Sequence, residues 1–123
     1  MPSLRQAGRY FHYHDMGPES EVAIDPAALG IHQEVRAVTL PGSVTAAEGE
    51  DEIVAAIDIP ATARAAAEAG MSALRGTKGA FYDSLVLGGA IILHHVGKAD
   101  SLADAAAQIR SVLDSGRAAR RVA

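Results

Sequence analysis

The chain has 123 residues, of which 49% are hydrophobic and 21% are charged, with a formal net charge of −4 at pH 7. This length suits one domain with its own core, and the lack of cysteine excludes disulfides, a thiolate nucleophile and a zinc-thiolate site. The acidic balance disfavours nucleic acid as the partner of the whole surface, while leaving room for a local basic patch. With no long apolar run and no signal-peptide core, a cytoplasmic protein without a membrane partner is expected.

The N-terminal part predicts a short β-hairpin. Residues 1–9 read as a polar lead-in that we expect to be loosely ordered. Residues 10–14 are rich in strand-forming aromatic side chains, and residues 21–25 alternate as a half-buried strand does. Gly17-Pro18 breaks the chain between them, and a helical turn is expected before Gly30. We therefore predict that the two strands pair.

Histidines in the first predicted strand are candidate metal ligands. His12 and His14 fall on the same face of an extended strand, and Asp15 follows them with a carboxylate. Two imidazoles and a carboxylate are a plausible set of ligands for a divalent metal ion. The simpler interpretation is a pair of surface histidines, which is the one we favour.

The segment between the hairpin and the helices gives weaker signals. Residues 35–40 fit an edge strand loosely, and Pro41-Gly42 ends it. The acidic residues 48–52 are typical of a solvated loop. Residues 53–57 form either a short strand or a helical turn, because five residues are too few for periodicity to decide.

Three helices are predicted in the remainder, at about 60–75, 80–96 and 102–115. Asp58-Ile59-Pro60 places proline in the first turn of the first helix. Ser101 and Asp104 form a capping pair for the third, because the serine oxygen can accept a first-turn N–H and the carboxylate faces the positive end of the helix dipole. A glycine that suits a left-handed terminal residue follows each helix: Gly76, Gly97 and Gly116.

Apolar residues in these helices recur at helical spacing. In the third helix they are Leu102, Ala105, Ala106, Ile109, Val112 and Leu113, and in the second they are Leu85, Gly88, Gly89, Ile92 and Val96. The paired glycines cost about 1 kcal/mol each relative to alanine, so we expect a neighbouring backbone to come close there. His94 and His95 point about 100° apart, so one is expected to pack and the other to face solvent.

The C-terminal half resembles a known family. Leu74-Arg75-Gly76, Tyr82-Asp83-Ser84-Leu85-Val86, Gly97-Lys98-Ala99-Asp100-Ser101-Leu102 and Asp114-Ser115-Gly116-Arg117-Ala118 are similar, in order and separation, to the C-terminal end of anthranilate phosphoribosyltransferases and their relatives in glycosyltransferase family 3. The likeness extends to residues 22–30, which are similar to that family's strand and Pro-x-x-Leu-Gly turn. It implies an α+β fragment of an α/β domain, with short strands or a hairpin followed by the three helices.

The resemblance also implies an activity for a complete relative. Such enzymes transfer a phosphoribosyl group from phosphoribosyl pyrophosphate to anthranilate, with magnesium neutralising the leaving group, in tryptophan biosynthesis. The family's Gly-Thr-Gly-Gly-Asp and Lys-His-Gly-Asn-Arg elements do not occur in this sequence, and Asp51-Glu52 is misplaced for the acidic pair that holds magnesium. No residue here is therefore assigned a catalytic, cofactor-binding or metal-binding role by the resemblance.

Basic residues supply the remaining candidates. Lys78, in the turn Gly76-Thr77-Lys78-Gly79, lies near a helix start where backbone N–H groups can meet an anion, although a plain turn between helices is favoured. Arg117, Arg120 and Arg121, with Arg110 earlier, make a basic C-terminal end. These cations complement a helix dipole, or alternatively contact a nucleic-acid backbone, as some distant relatives are thought to do.

Two hypotheses follow from these observations. The first is the C-terminal structural portion of a phosphoribosyltransferase-like protein, inactive alone. The second is a stand-alone binding or oligomerisation domain derived from the same fold. In both cases the apolar helix stripes predict a homo-oligomer or association with missing partner sequence, because a short hairpin cannot cover them fully.

Overall fold

The computed structural model describes residues 3–12, 20–34 and 58–122. Two antiparallel strands, β1 (Gly8–His12) and β2 (Ser20–Ile24), form the predicted hairpin, with Gly8 opposite Ile24 and His12 opposite Ser20. The first strand begins earlier than expected and takes in Gly8 and Arg9 from the predicted lead-in. Arg9 is fixed there by backbone pairing and by an ion pair of 2.8 Å with Glu21 on the neighbouring strand.

A single-turn 3-10 helix (Ala27–Leu29) follows β2, and it confirms the helical turn predicted before Gly30. Gly30 ends this turn with a φ of 78°, and its N–H donates to the Ala27 carbonyl. Aspartate at the start of the turn accepts the N–H of Ala27 at 3.1 Å through Asp25 Oδ1. The sequence pattern Asp-Pro-x-x-Leu-Gly is therefore a compact local turn that carries Leu29 into the core.

The three predicted helices are confirmed as α1 (Ile59–Leu74), α2 (Ala80–His95) and α3 (Leu102–Asp114). Asp58 caps α1 by accepting the N–H of Ala61 at 2.9 Å, and Ser101 caps α3 by accepting that of Asp104 at 3.0 Å. The three predicted stop glycines all adopt positive φ, at 93° for Gly76, 75° for Gly97 and 73° for Gly116.

A fourth helix, α4 (Arg117–Val122), lies beyond Gly116 and was not predicted. Gly116 ends α3 as expected, but its left-handed conformation redirects the chain and does not stop helix formation. Alanine and arginine, which favour helices, make up most of the residues that follow. The molecule is thus an α+β arrangement, a two-stranded hairpin followed by three main helices and one short one.

The core is formed chiefly where α2 packs on α3. Val86 and Ala90 of α2 and Ala105 and Ala106 of α3 are completely buried, and such small side chains allow the two helices to approach closely. The predicted apolar stripe of α3 faces this core, with Leu102 and Ile109 packed against it. The hairpin side contributes Ile24, Leu29 and Ile31.

The apolar stripe predicted for α2 lies mostly away from the core. The core face of α2 carries Tyr82, Val86, Leu87 and Ala90, whereas Leu85, Ile92 and Val96 are exposed. A helix that is apolar on nearly every side gives no single periodic signal from which its buried face can be chosen.

The paired glycines of α2 also behave differently from each other. A Cβ on Gly89 would lie 2.7 Å from Ile109 Cδ1, so this glycine admits a side chain of α3, whereas a neighbouring backbone was expected. A Cβ on Gly88 would meet nothing within 4 Å. The expectation of a close neighbour is therefore wrong for Gly88 within the described structure.

Polar contacts fix the N-terminal part on the helices. The Arg110 guanidinium of α3 donates to the Leu29 carbonyl, and Gln33 Nε2 donates to Asp83 Oδ2 of α2 at 2.6 Å. Near the start of the chain, Arg5 Nε donates to the Glu34 carbonyl at 3.1 Å. The predictions for the break at 17–18 and for residues 35–40, 48–52 and 53–57 lie outside the described residues.

Candidate functional site

Three polar side chains meet at one end of the α2–α3 pair, and we call them the polar clamp. Lys78 lies in the turn between α1 and α2, Tyr82 lies in the first turn of α2, and Asp114 is the last residue of α3. The turn itself rests on α3, because a Cβ on Gly76 would lie 3.3 Å from the Leu113 carbonyl oxygen. The clamp thus joins the start of one helix to the end of another.

The three groups of the polar clamp contact one another pairwise. Lys78 Nζ lies 2.5 Å from Asp114 Oδ1 and 2.8 Å from the Tyr82 hydroxyl, and this hydroxyl donates to the same carboxylate oxygen at 2.8 Å. Lys78 Nζ also lies 3.9 Å from the centroid of the Tyr82 ring, which adds a cation–π contact. The buried Tyr82 side chain thus contacts both the Lys78 amine and the Asp114 carboxylate and fixes their positions.

The pKa values of the two charged groups shift as an ion pair requires. Hydrogen bonds from Lys78 and then from Tyr82 lower the pKa of Asp114 below its usual range. Hydrogen bonds to Asp114 and Tyr82 raise the pKa of Lys78. Near neutral pH the amine is therefore protonated and the carboxylate ionised, so neither is poised as a nucleophile or as a proton-transfer group.

The clamp is exposed on its charged side, where the side chains of Lys78 and Asp114 are 64% and 49% accessible. Lys78 was predicted as an anion contact, and the structure places an anion, the Asp114 carboxylate, directly on it. An external phosphate would have to compete with this carboxylate or bind both partners from the solvent side. The anion role of Lys78 stays a prediction.

The four arginines predicted to form a basic C-terminal end do not form one group in the structure. Arg117, Arg120 and Arg121 are exposed on α4, whereas Arg110 is partly buried and donates a hydrogen bond to the Leu29 carbonyl. Arg117 Nε donates to Ser115 Oγ at 3.3 Å and Arg120 Nη1 to the Ser115 carbonyl at 3.2 Å. Two of the three arginines therefore stabilise the junction of α3 and α4, as cations at a helix C-terminus do.

The predicted metal ligands are mostly outside the described residues. His14 and Asp15 belong to the undescribed residues 13–19, and the backbone of His12 lies in β1 opposite Ser20. Within 3–12, 20–34 and 58–122, no group of three or more histidine and acidic side chains is arranged to hold a metal ion. The site formed by His12, His14 and Asp15 stays a prediction.

The two histidines at the end of α2 differ in exposure, as expected. His94 is partly buried, with Nδ1 3.4 Å from the Tyr10 hydroxyl, whereas His95 is exposed. Burial against the helices raises the pKa of Tyr10. This contact joins β1 to the end of α2 opposite the polar clamp.

Sequence reasoning missed the polar clamp. The apolar stripe that it found on α2 forms most of one exposed surface, which we call the α2 face. Phe81, Leu85, Ile92 and Val96 are 49%, 37%, 63% and 56% exposed, and Gly88 lies in the middle of them. Beside its N-terminal half, α1 and α2 enclose a groove of about 400 Å³, to which α1 contributes Ala67, Gly70, Met71 and Leu74. The helical spacing of Leu85, Gly88, Ile92 and Val96 is the sequence signal for this surface.

No helix in the described part of the chain is both long and apolar enough to cross a bilayer. Comparisons with protein-family models, curated proteins and solved structures found no match. The resemblance to phosphoribosyltransferases therefore rests on the motif pieces in the sequence.

Proposed function

We propose that this chain is the C-terminal structural portion of an anthranilate phosphoribosyltransferase-like protein of the cytoplasm. The complete form would transfer a phosphoribosyl group from phosphoribosyl pyrophosphate to an aromatic amine, with magnesium on the leaving group. The chain alone is inactive in this proposal. One observation carries it: Tyr82 and Asp114, which belong to separate pieces of the resemblance, hydrogen-bond to each other at 2.8 Å.

The geometry supports a structural role for these motif pieces. In the third piece, Ala99 is buried and Ser101 caps α3, so this piece forms the turn between two packed helices. In the fourth, Ser115 receives Arg117 and Arg120, and Gly116 turns the chain into α4. The motif residues thus explain how the helical layer is held together. This is what a structural portion of a larger protein needs.

A transfer assay tests this proposal. The chain is incubated with phosphoribosyl pyrophosphate, magnesium and anthranilate, and pyrophosphate release is measured beside a complete enzyme of the family as a positive control. We expect no release above background. Sustained release that depends on the chain would overturn the proposal. The mass of the natural protein is a second test, since a value well above 12.7 kDa supports it.

The alternative is a stand-alone binding domain that contacts nucleic acid through α4. It is favoured by three exposed arginines on a helix of six residues that carries no acidic residue: Arg117, Arg120 and Arg121. Phosphate contacts of this kind release counterions, so binding falls steeply with salt. Single-stranded DNA binding at low and high salt tests it, with the three arginines changed to glutamine and Arg64→Gln on α1 as the control. Binding that is absent, or equal in both variants, would remove this alternative.

A further inference from the structure

We propose that the α2 face is a contact between two copies of this chain, with α2 of each copy packed antiparallel on α2 of the other. Five positions define the face: Phe81, Leu85, Gly88, Ile92 and Val96. At 100° per residue they lie within about 80° of one another around the helix, so they form one straight stripe. The stripe begins in the first turn of α2 and ends at Val96, which caps the helix.

The spacing of the stripe is symmetric about its own midpoint. That midpoint lies between Gly88 and Gly89, and Phe81 and Val96 are equally far from it along the helix, as are Leu85 and Ile92. A two-fold contact requires this arrangement, because residue i of one copy must meet residue j of the other and the reverse. In an antiparallel pair Phe81 of each copy would contact Val96 of the other, and Leu85 of each copy would contact Ile92 of the other.

Among residues 3–12, 20–34 and 58–122, no neighbour explains why position 88 is a glycine. Its neighbour Gly89 is required by Ile109, whereas a Cβ on Gly88 would meet nothing within 4 Å. Glycine in a helix interior nevertheless costs about 1 kcal/mol relative to alanine. At the midpoint of a helix pair, the missing side chain lets the two backbones approach, which gives this glycine a function.

The charge and area of the α2 face determine how strongly a second copy can bind. The one fully charged residue of α2 is Asp83, which lies on the opposite side of the helix from the stripe and accepts a hydrogen bond from Gln33. None of the five positions of the stripe is charged, so the stripe itself can pair with a second copy without bringing like charges together. The four apolar side chains expose roughly 400 Å² per copy, about half of what a standard interface buries on each side. An area of this size is typical of weak contacts, so a weak, concentration-dependent dimer is expected.

Sedimentation equilibrium of the full chain tests the contact. Wild-type protein is compared with Val96→Glu, which puts a carboxylate on the α2 face, and with Val122→Glu, which changes an equally exposed valine on α4. We expect Val96→Glu to raise the dimer dissociation constant at least tenfold and Val122→Glu to leave it within twofold. A wild-type chain that is monomeric at 100 µM, or two variants that weaken a dimer equally, would overturn the proposal.

Because the chain has no cysteine, crosslinking can establish the orientation. In the antiparallel pair Leu85 faces Ile92 of the second copy, whereas the two Leu85 positions are about 10 Å apart along the axis. Leu85→Cys mixed with Ile92→Cys should therefore give a disulfide-linked mixed dimer faster than either variant alone. Equal rates in the mixture and in the single variants would contradict the antiparallel pairing. Circular dichroism of each variant checks that it is folded.

This inference goes beyond the proposed function, and the two are tested by different measurements. Sedimentation and crosslinking do not measure phosphoribosyl transfer, and the transfer assay does not measure self-association. Either proposal can therefore fail while the other stands.

Discussion

The Tyr82 hydroxyl donates a hydrogen bond to Asp114 Oδ1 at 2.8 Å, although the two residues are 32 positions apart. The contact links the first turn of α2 to the last residue of α3, and Lys78 completes it from the preceding turn. Because Tyr82 is itself in the core, its ring and its hydroxyl perform two tasks, packing and joining helix ends. The polar clamp therefore fixes how the motif-bearing helices sit on each other.

Removing the hydroxyl tests this joint directly. Tyr82→Phe keeps the ring and deletes two hydrogen bonds, one donated to the Asp114 carboxylate and one accepted from Lys78. We therefore expect a loss of about 1–2 kcal/mol in the free energy of unfolding. Tyr10→Phe is the matched control, since the contact of the Tyr10 hydroxyl with His94 is long, at 3.4 Å. Urea unfolding measures both variants. A loss in Tyr10→Phe that equals or exceeds that of Tyr82→Phe would contradict the assignment.

The ion pair of the polar clamp predicts how stability depends on pH. The pKa of Asp114 is lowered by folding, so its contribution is complete above about pH 4 and is lost as the pH falls further. The pKa of Lys78 is raised, so its contribution is complete below about pH 10 and is lost at higher pH. The clamp therefore contributes a constant amount across the neutral range.

Asp114→Asn provides the measurement. We expect the stability difference between wild type and this variant to be level from about pH 5 to pH 9 and to shrink towards both extremes. The difference should be small and salt-sensitive, because both charges are largely exposed. Glu68→Gln, at an exposed carboxylate on α1, serves as the control. A difference that grows as the pH falls below 4 would show that Asp114 is not stabilised as an anion.

Local signals explain why the helices could be predicted from the sequence. Asp58 and Ser101 act through N–H groups only three residues away, and the stop glycines act through their own φ. α4 was not predicted, because a glycine after a helix can be followed either by non-helical chain or by a turn into another helix, and Gly116 fits both. The sequence contains no further stop or cap that distinguishes the two.

The candidate site depends on contacts that no local pattern contains. Lys78 and Asp114 are 36 positions apart, and only the packing of α2 on α3 brings them together. Most of the α2 face was found in the sequence as an apolar stripe. The sequence could not assign that stripe to the core or to the surface, because α2 is apolar on nearly all sides and periodicity allows several choices of buried face. The structure selects the side that carries Val86 and Ala90, because small buried residues there match those of α3.

Arg110 is predicted to hold the 3-10 turn on α3. Its guanidinium donates to the Leu29 carbonyl in a partly buried position, and Arg110→Met keeps much of the stem while removing the donor. Leaving that carbonyl unpaired should cost about 1–3 kcal/mol. Amide exchange should also accelerate at Gly30 and Ile31, whose N–H groups bond within the turn.

The matched control for this change is Arg64→Met, because Arg64 is exposed on α1. Hydrogen exchange followed by NMR resolves the turn from the helices. Unchanged exchange at Gly30 and Ile31 in Arg110→Met would show that the turn is held by the apolar contacts of Leu29 and Ile31 alone.

The two adjacent glycines of α2 should respond oppositely to alanine. Gly89→Ala places a methyl group 2.7 Å from Ile109 Cδ1 and 2.8 Å from Ile109 Cγ1. The Ile109 side chain must therefore shift at Cγ1 as well as at its tip. We expect a loss of about 1–3 kcal/mol in the free energy of unfolding. Gly88→Ala meets open space in one copy and should stabilise the monomer by up to about 1 kcal/mol through helix propensity.

Measurements at low and high protein concentration separate the effects on monomer stability from those on self-association. Below the dimer dissociation constant, thermal unfolding should rank Gly88→Ala above wild type and Gly89→Ala below it. At high concentration Gly88→Ala should also weaken self-association, because its methyl groups separate the two helices at their midpoint. Ile109→Ala restores space for the methyl group, so Gly89→Ala should cost less in that background than in wild type. Equal losses in both backgrounds would mean that Gly89 is required for a reason other than Ile109.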